Sequence, residues 1–162
     1  MSQIAVVPYD PDAHEQATVR NWKEIAWIDP DAKEKDIEVV TRCLREWETL
    51  VGLYNGSPEA SSSWTPGTVR IGSTELSLCA ITGVTTSRYA RIEGLASRVT
   101  TGALQSGAQA GMAVAALGCF DQGFYNRFGF GNGPYIHILR FDPATLRVDR
   151  LSRAPDRLDP DK

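Results

Sequence analysis

Arg91-Ile92-Glu93-Gly94-Leu95-Ala96 sits where the chain changes its hydrophobic period. Upstream, Leu76-Ser-Leu-Cys-Ala-Ile-Thr-Gly-Val-Thr-Thr86 is rich in β-branched and apolar residues and reads as a strand. Downstream, residues 95–110 place Leu95, Val99 and Ala103 at i, i+4 and i+8, which predicts one apolar helical face. A glycine at a strand-to-helix junction lets backbone N–H groups crowd around an anion at the positive end of the helix. A second stretch, Gly123-Phe-Tyr-Asn-Arg-Phe-Gly-Phe130, follows at a distance that suits a partner motif.

Working outward, residues 4–8 predict a first strand, and Asp10-Pro11 is a helix start with Asp as N-cap and Pro at the first helical position. That helix runs through Trp22 to about Ile25. The same device at Asp29-Pro30 precedes a second helix, whose Ile37, Val40, Leu44 and Trp47 fall at amphipathic spacing. Residues 50–54 read as a strand ended by Asn55-Gly56, a strong hairpin signal. A return strand over 60–64 is expected to be interrupted by Thr65-Pro66-Gly67, with 68–71 then pairing with 76–86 around Gly72-Ser73. Residues 112–117 are wholly apolar and predict a short buried strand. Residues 124–128 predict a short helix stopped by Gly129, and 135–141 a late strand. Periodicity alone gives an α/β chain with one mixed sheet.

The composition sets bounds. At 162 residues the chain suits one domain, long enough to bury roughly two-thirds of its unfolded surface. Hydrophobic content of 42% and charged content of 23% are ordinary for a globular protein. The net charge of −3 comes from interspersed acids and bases, so no nucleic-acid footprint is expected. No apolar run nears the roughly 20 residues of a membrane span, and the N-terminus lacks signal-peptide regions. Cys43, Cys79 and Cys119 are widely spaced and odd in number, without metal-ligand spacing. They read as buried thiols of a cytoplasmic, metal-free protein.

Arg91-x-x-Gly94-x-Ala96 resembles the pyrophosphate loop of the GNAT N-acetyltransferases, and Phe124-Tyr125-Asn-Arg-Phe-Gly-Phe130 resembles that family's Y-x-x-x-G-F motif. The resemblance implies a single GNAT (acyl-CoA N-acyltransferase) domain over residues 1–141, its mixed central sheet flanked by helices, with 142–162 a polar tail or linker. It implies acetyl-CoA as co-substrate, a primary amine as acceptor, and direct attack in a ternary complex. Val84, Thr85 and Thr86 would pair with the pantetheine arm and hold the thioester carbonyl. Arg91, Ile92, Glu93, Gly94, Leu95, Ala96 and Ser97 would form the loop around the pyrophosphate. Glu93 departs from the family, which usually has a basic residue there. A carboxylate at this place opposes anion binding unless it points to solvent or pairs with Arg88 or Arg91. Tyr125 would protonate the departing thiolate, and Phe120 and Asp121 would touch the cofactor. Trp27 is expected to line the acceptor site, with Glu24 facing it. Glu24, Glu93 and His137 are each geometrically possible as the base, as is an ordered water relay.

Gly-Phe-Tyr-Asn-Arg-Phe-Gly-Phe-Gly131 and Ile81-Thr-Gly-Val-Thr-Thr86 resemble the Eis-like acetyltransferases more than generic GNAT proteins, and this chain resembles their N-terminal domain alone. Those proteins are longer and multi-domain, so the resemblance implies either a truncated version or a domain that works with a partner polypeptide, with a homo-oligomer left open. The alternative is a non-catalytic GNAT-fold module that binds CoA weakly or serves as a protein-interaction domain.

Overall fold

The computed structural model describes residues 2–119, 123–133 and 137–147. The chain divides after Phe130 into two units, Met1–Phe130 and Gly131–Lys162. In the first unit a five-stranded mixed sheet runs in the order β1 (Ile4–Pro8), β2 (Glu48–Tyr54), β3 (Ser57–Ile71), β4 (Thr74–Thr86), β5 (Val114–Ala116). The first four strands are antiparallel, and β5 joins β4 in parallel. A parallel join needs a crossover, and α3 (Leu95–Gln109) supplies it.

Helices α1 (Pro11–Glu24) and α2 (Glu34–Glu46) lie on one face of the sheet and α3 on the other. On the α3 face, Leu95, Val99 and Ala103 are each at most 1% exposed. They pack on Ala60, Trp64, Cys79 and Ile81, so the expected apolar stripe is the core. On the other face, Trp22, Ile28 and Leu44 form a separate cluster. This side of the sheet carries hydroxyls as well, and they are paired across elements. Thr49 Oγ1 donates to Leu44 O at 3.0 Å and lies 2.8 Å from Ser63 Oγ.

Local chemistry explains the boundaries. Asp10 caps α1 by accepting from Asp12 N–H at 3.0 Å, with Pro11 next in line. Asp29 does not open α2. Its carboxylate accepts from Asp31 N–H at 2.8 Å and closes a turn, and the helix begins at Glu34 after an uncapped Lys33. Thr65-Pro66-Gly67 does not interrupt β3, which runs unbroken with Pro66 opposite Cys79. Pairing with β2 stops at Trp64, so Pro66 stands where one flank of β3 is unpaired, the setting in which a strand tolerates proline.

Three further expectations are corrected. β5 spans three residues and is half-buried to exposed, because as the last strand of the sheet it is covered on fewer sides. Cys79 is buried, but Cys43 is half-buried and Cys119 exposed on the segment after β5. Of the expected late strand, Tyr135 and Ile136 lie outside the described residues, and 137–141 belong to no strand. In the second unit, Asp142 caps a 3-10 turn at Pro143–Thr145 by accepting from Ala144 N–H.

Candidate active site

The site begins with a defect in β4. Ser61 is opposite Thr85 and Ser63 is opposite Thr82, so Gly83 and Val84 together face the single residue Ser62. This is a β-bulge, which bends its strand and sharpens the twist. Gly83 takes φ +63°, a left-handed conformation that side-chain-bearing residues adopt at a cost. Space is tight too, since a Cβ there would stand 3.1 Å from Trp22 Cζ2 and 3.4 Å from Ser63 Oγ, and the indole would have to give by a few tenths of an ångström.

Among the described residues, β3 is the one sheet neighbour of β4 beyond Ala80. Pairing of β4 with β5 covers Leu78, Cys79 and Ala80 and then ends, while pairing with β3 continues to Thr86. Residues 81–86 therefore present a strand edge without a sheet partner on the β5 side. A cavity of about 670 Å³ opens along that edge, lined by Trp27, Ile81, Thr82, Gly83, Val84, Ala96, Leu117, Gly118, Phe124 and Tyr125.

The loop after β4 leads to the start of α3. Gly94 is the N-cap of α3 with φ +77°, and no side chain caps this helix end. The first-turn amides of a helix have no intrahelical acceptor, so those of Leu95, Ala96 and Ser97 are available at the positive end of the dipole. Ile92 also has φ +77°, which costs a β-branched residue roughly 1–2 kcal/mol, and it is fully exposed. Arg91 and Glu93 are exposed as well, and Glu93 has no ion pair among the described residues. Tyr125 starts a 3-10 turn, Tyr125–Phe128, ended by left-handed Gly129. Its ring meets Phe124 edge-on at 4.9 Å and Phe130 at 6.1 Å.

The structure thus brings Trp27, Val84, Ala96 and Tyr125 to one cavity. Trp27 is 41% exposed and stands edge-on to Trp22 at 5.4 Å. Other candidates lie elsewhere. Thr85 points to the α1 side, its Oγ1 2.8 Å from Ser61 Oγ. Thr86 Oγ1 is buried without a hydrogen-bond partner among the described residues. Leu95 has its side chain in the core, which leaves only its backbone for a ligand. Glu24 is outside the cavity wall and accepts from Arg88 N–H at 3.0 Å, tying the end of α1 to the loop. Phe120 and Asp121 lie outside the described residues. Motif reading did not single out Gly83 or Ser61, and of the tryptophans it chose Trp27 over Trp22. A glycine inside a β-branched run signals a bulge and could have flagged the first. Among the described residues no group of three or more His, Cys, Asp or Glu could hold a metal ion.

The flank of β4 beyond Ala80, the first turn of α3 and the tyrosine-bearing turn thus lie around one cavity. The sequence matches the acetyltransferase (GNAT) domain family over residues 11–133. This chain belongs to the GNAT family. Its fold is the GNAT fold, a five-stranded mixed sheet with three helices.

Solved structures agree on the GNAT fold. A conserved protein of unknown function from Enterococcus faecalis, a probable N-acyltransferase, superposes with a TM-score of 0.70 at 18% identity, over 80% of this chain and 32% of its own. Glucosamine-6-phosphate N-acetyltransferase from Arabidopsis thaliana gives 0.63 at 13% identity, over 86% of this chain and 99% of its own. Eis1 from Mycobacterium abscessus gives 0.60 at 17% identity, over 81% and 31%. The GNAT chain therefore spans about a third of the length of the E. faecalis and M. abscessus proteins. No curated protein sequence matches it.

Proposed function

We propose that this GNAT chain transfers an acetyl group from acetyl-CoA to a primary amine by direct attack in a ternary complex. The observation that carries the reading is a cavity shared by the open flank of β4, by Ala96 of α3 and by Tyr125. The pantetheine arm adds to β4 beside Val84 as a further strand would, and the pyrophosphate rests on the amides of residues 92–97. A β4 N–H polarises the thioester carbonyl and stabilises the oxyanion formed when the amine nitrogen attacks its carbon. The C–S bond then breaks, and the thiolate takes the phenolic proton of Tyr125. The amine sheds its own proton to water, from which Tyr125 is reprotonated. Trp27 covers the acceptor.

An acidic residue, Glu93, in a loop where the family usually carries a base favours a second reading, in which the domain binds CoA weakly or serves as a protein-interaction module and has no catalytic role. Calorimetric titration with acetyl-CoA, free CoA and a non-nucleotide thioester separates the two. Micromolar binding that needs the nucleotide half, followed by acetylation in an amine screen, supports the enzyme. Absence of heat and of thermal stabilisation at millimolar ligand sinks it.

A further inference from the structure

We propose that Ser61 is a positioning residue for acetyl transfer, holding the Gly83–Val84 peptide so that the Val84 N–H faces the cavity. This rests on the acetyltransferase reading above. Ser61 is 2% exposed, on the α1 side of β3. Its Oγ donates to Gly83 O at 3.1 Å, accepts from Trp22 Nε1–H at 3.3 Å, and lies 2.8 Å from Thr85 Oγ1. A serine hydroxyl has one proton and two lone pairs. With the proton on Gly83 O and one lone pair taken by Trp22, Thr85 must be the donor of the third bond. Every hydrogen-bonding capacity of Ser61 is then filled and its hydroxyl has one orientation.

That orientation fixes a peptide plane. In a trans peptide the C=O and the N–H of the next residue point in opposite directions. The Gly83 carbonyl is drawn to Ser61 on the α1 side, so the N–H of Val84 is turned away from Ser61. Val84 itself lines the cavity. A bulge frees its peptide from the ladder, and left-handed Gly83 has the freedom to let that peptide rotate, so an external anchor decides which way it faces. Trp22 backs the anchor, its ring pressed against Gly83 and edge-on to Trp27 of the cavity wall.

The test compares Ser61→Ala and the near-isosteric Ser61→Cys with Thr49→Val, which breaks the Thr49–Ser63 hydroxyl pair on the same sheet face and leaves the Ser61–Gly83 bond in place. Removing an oxyanion donor outright costs about 10²–10³ in kcat, and misaiming one should cost about tenfold or more. Expected for both Ser61 variants are that fall in kcat, an acetyl-CoA Kd within about twofold of the parent, and loss of the Val84 amide NMR shift that acetyl-CoA induces in the parent. Thr49→Val should keep both kcat and the shift. Ser61 variants that retain turnover and the Val84 shift overturn the proposal, as does a Thr49→Val variant that loses turnover equally. A parent that binds acetyl-CoA but turns nothing over overturns the acetyltransferase reading and with it the part of Ser61 in transfer, while the Val84 shift still decides whether Ser61 aims the Val84 N–H. A parent that binds no acetyl-CoA overturns both.

Discussion

Replacing Tyr125 by Phe removes a proton donor and keeps the ring that packs on Phe124 and Phe130. The expected outcome is a kcat lower by about 10²-fold or more with acetyl-CoA affinity unchanged, read by steady-state kinetics and calorimetry. Equal turnover would remove Tyr125 from the mechanism. Glu93→Arg reverses a charge beside the α3 N-terminus and should tighten acetyl-CoA severalfold at low ionic strength, with the gain shrinking as salt screens it. Unchanged affinity at low salt would show that Glu93 does not sense the pyrophosphate. Both residues were legible in the sequence because each sits at a fixed offset from a glycine. Ser61 and Trp22 were not, since their role comes from register between β3, β4 and α1, and no local pattern encodes register across strands 22 residues apart.

At the scale of elements, Gly83→Ala forces a Cβ against Trp22 at a left-handed position. It should cost roughly 1–3 kcal/mol of stability and lower kcat as well, measured by urea unfolding beside turnover. A fully stable and active variant would mean that the bulge is not needed. Leu95→Ala, in the apolar stripe of α3, should cost about 2–5 kcal/mol. The strand–loop–helix order, the α1 cap, the Asn55-Gly56 hairpin and the α3 stripe were all readable, because each rests on short-range chemistry. Pro66 and Asp29-Pro30 misled for the same reason. Proline at an unpaired flank and aspartate in a turn use the chemistry that elsewhere ends a strand or opens a helix. The end of β4–β5 pairing at Ala80 has no local signal of its own.

For the molecule as a whole, the half-buried Tyr9 hydroxyl and the buried Cys79 thiol are expected to set the alkaline limit. The Tyr9 hydroxyl donates to Glu15 Oε2 and is held well above the ordinary phenol range, first by burial and then by the Glu15 carboxylate. Burial likewise pushes the Cys79 thiol up. Both stay protonated longer in the folded chain than in the unfolded one. Their contribution to stability is therefore complete below the ordinary thiol value, near 8.5, and the ordinary phenol value, near 10. It is lost as pH rises through the higher folded values. Urea midpoints should fall above about pH 9, and Tyr9→Phe should flatten the part of that fall above about pH 10. An unaltered slope would show that Tyr9 does not control it.

The half-paired β4 also bears on solubility. A straight strand with a bare flank is a template on which another chain can build, the first step towards aggregates. The kink at Gly83 breaks that flank into short, twisted pieces that a second extended chain cannot follow far, so the bulge shields the protein from its own copies. Straightening it would trade a ligand cleft for a sticky edge, and the variants that lose the bulge are the ones to watch for precipitation on storage.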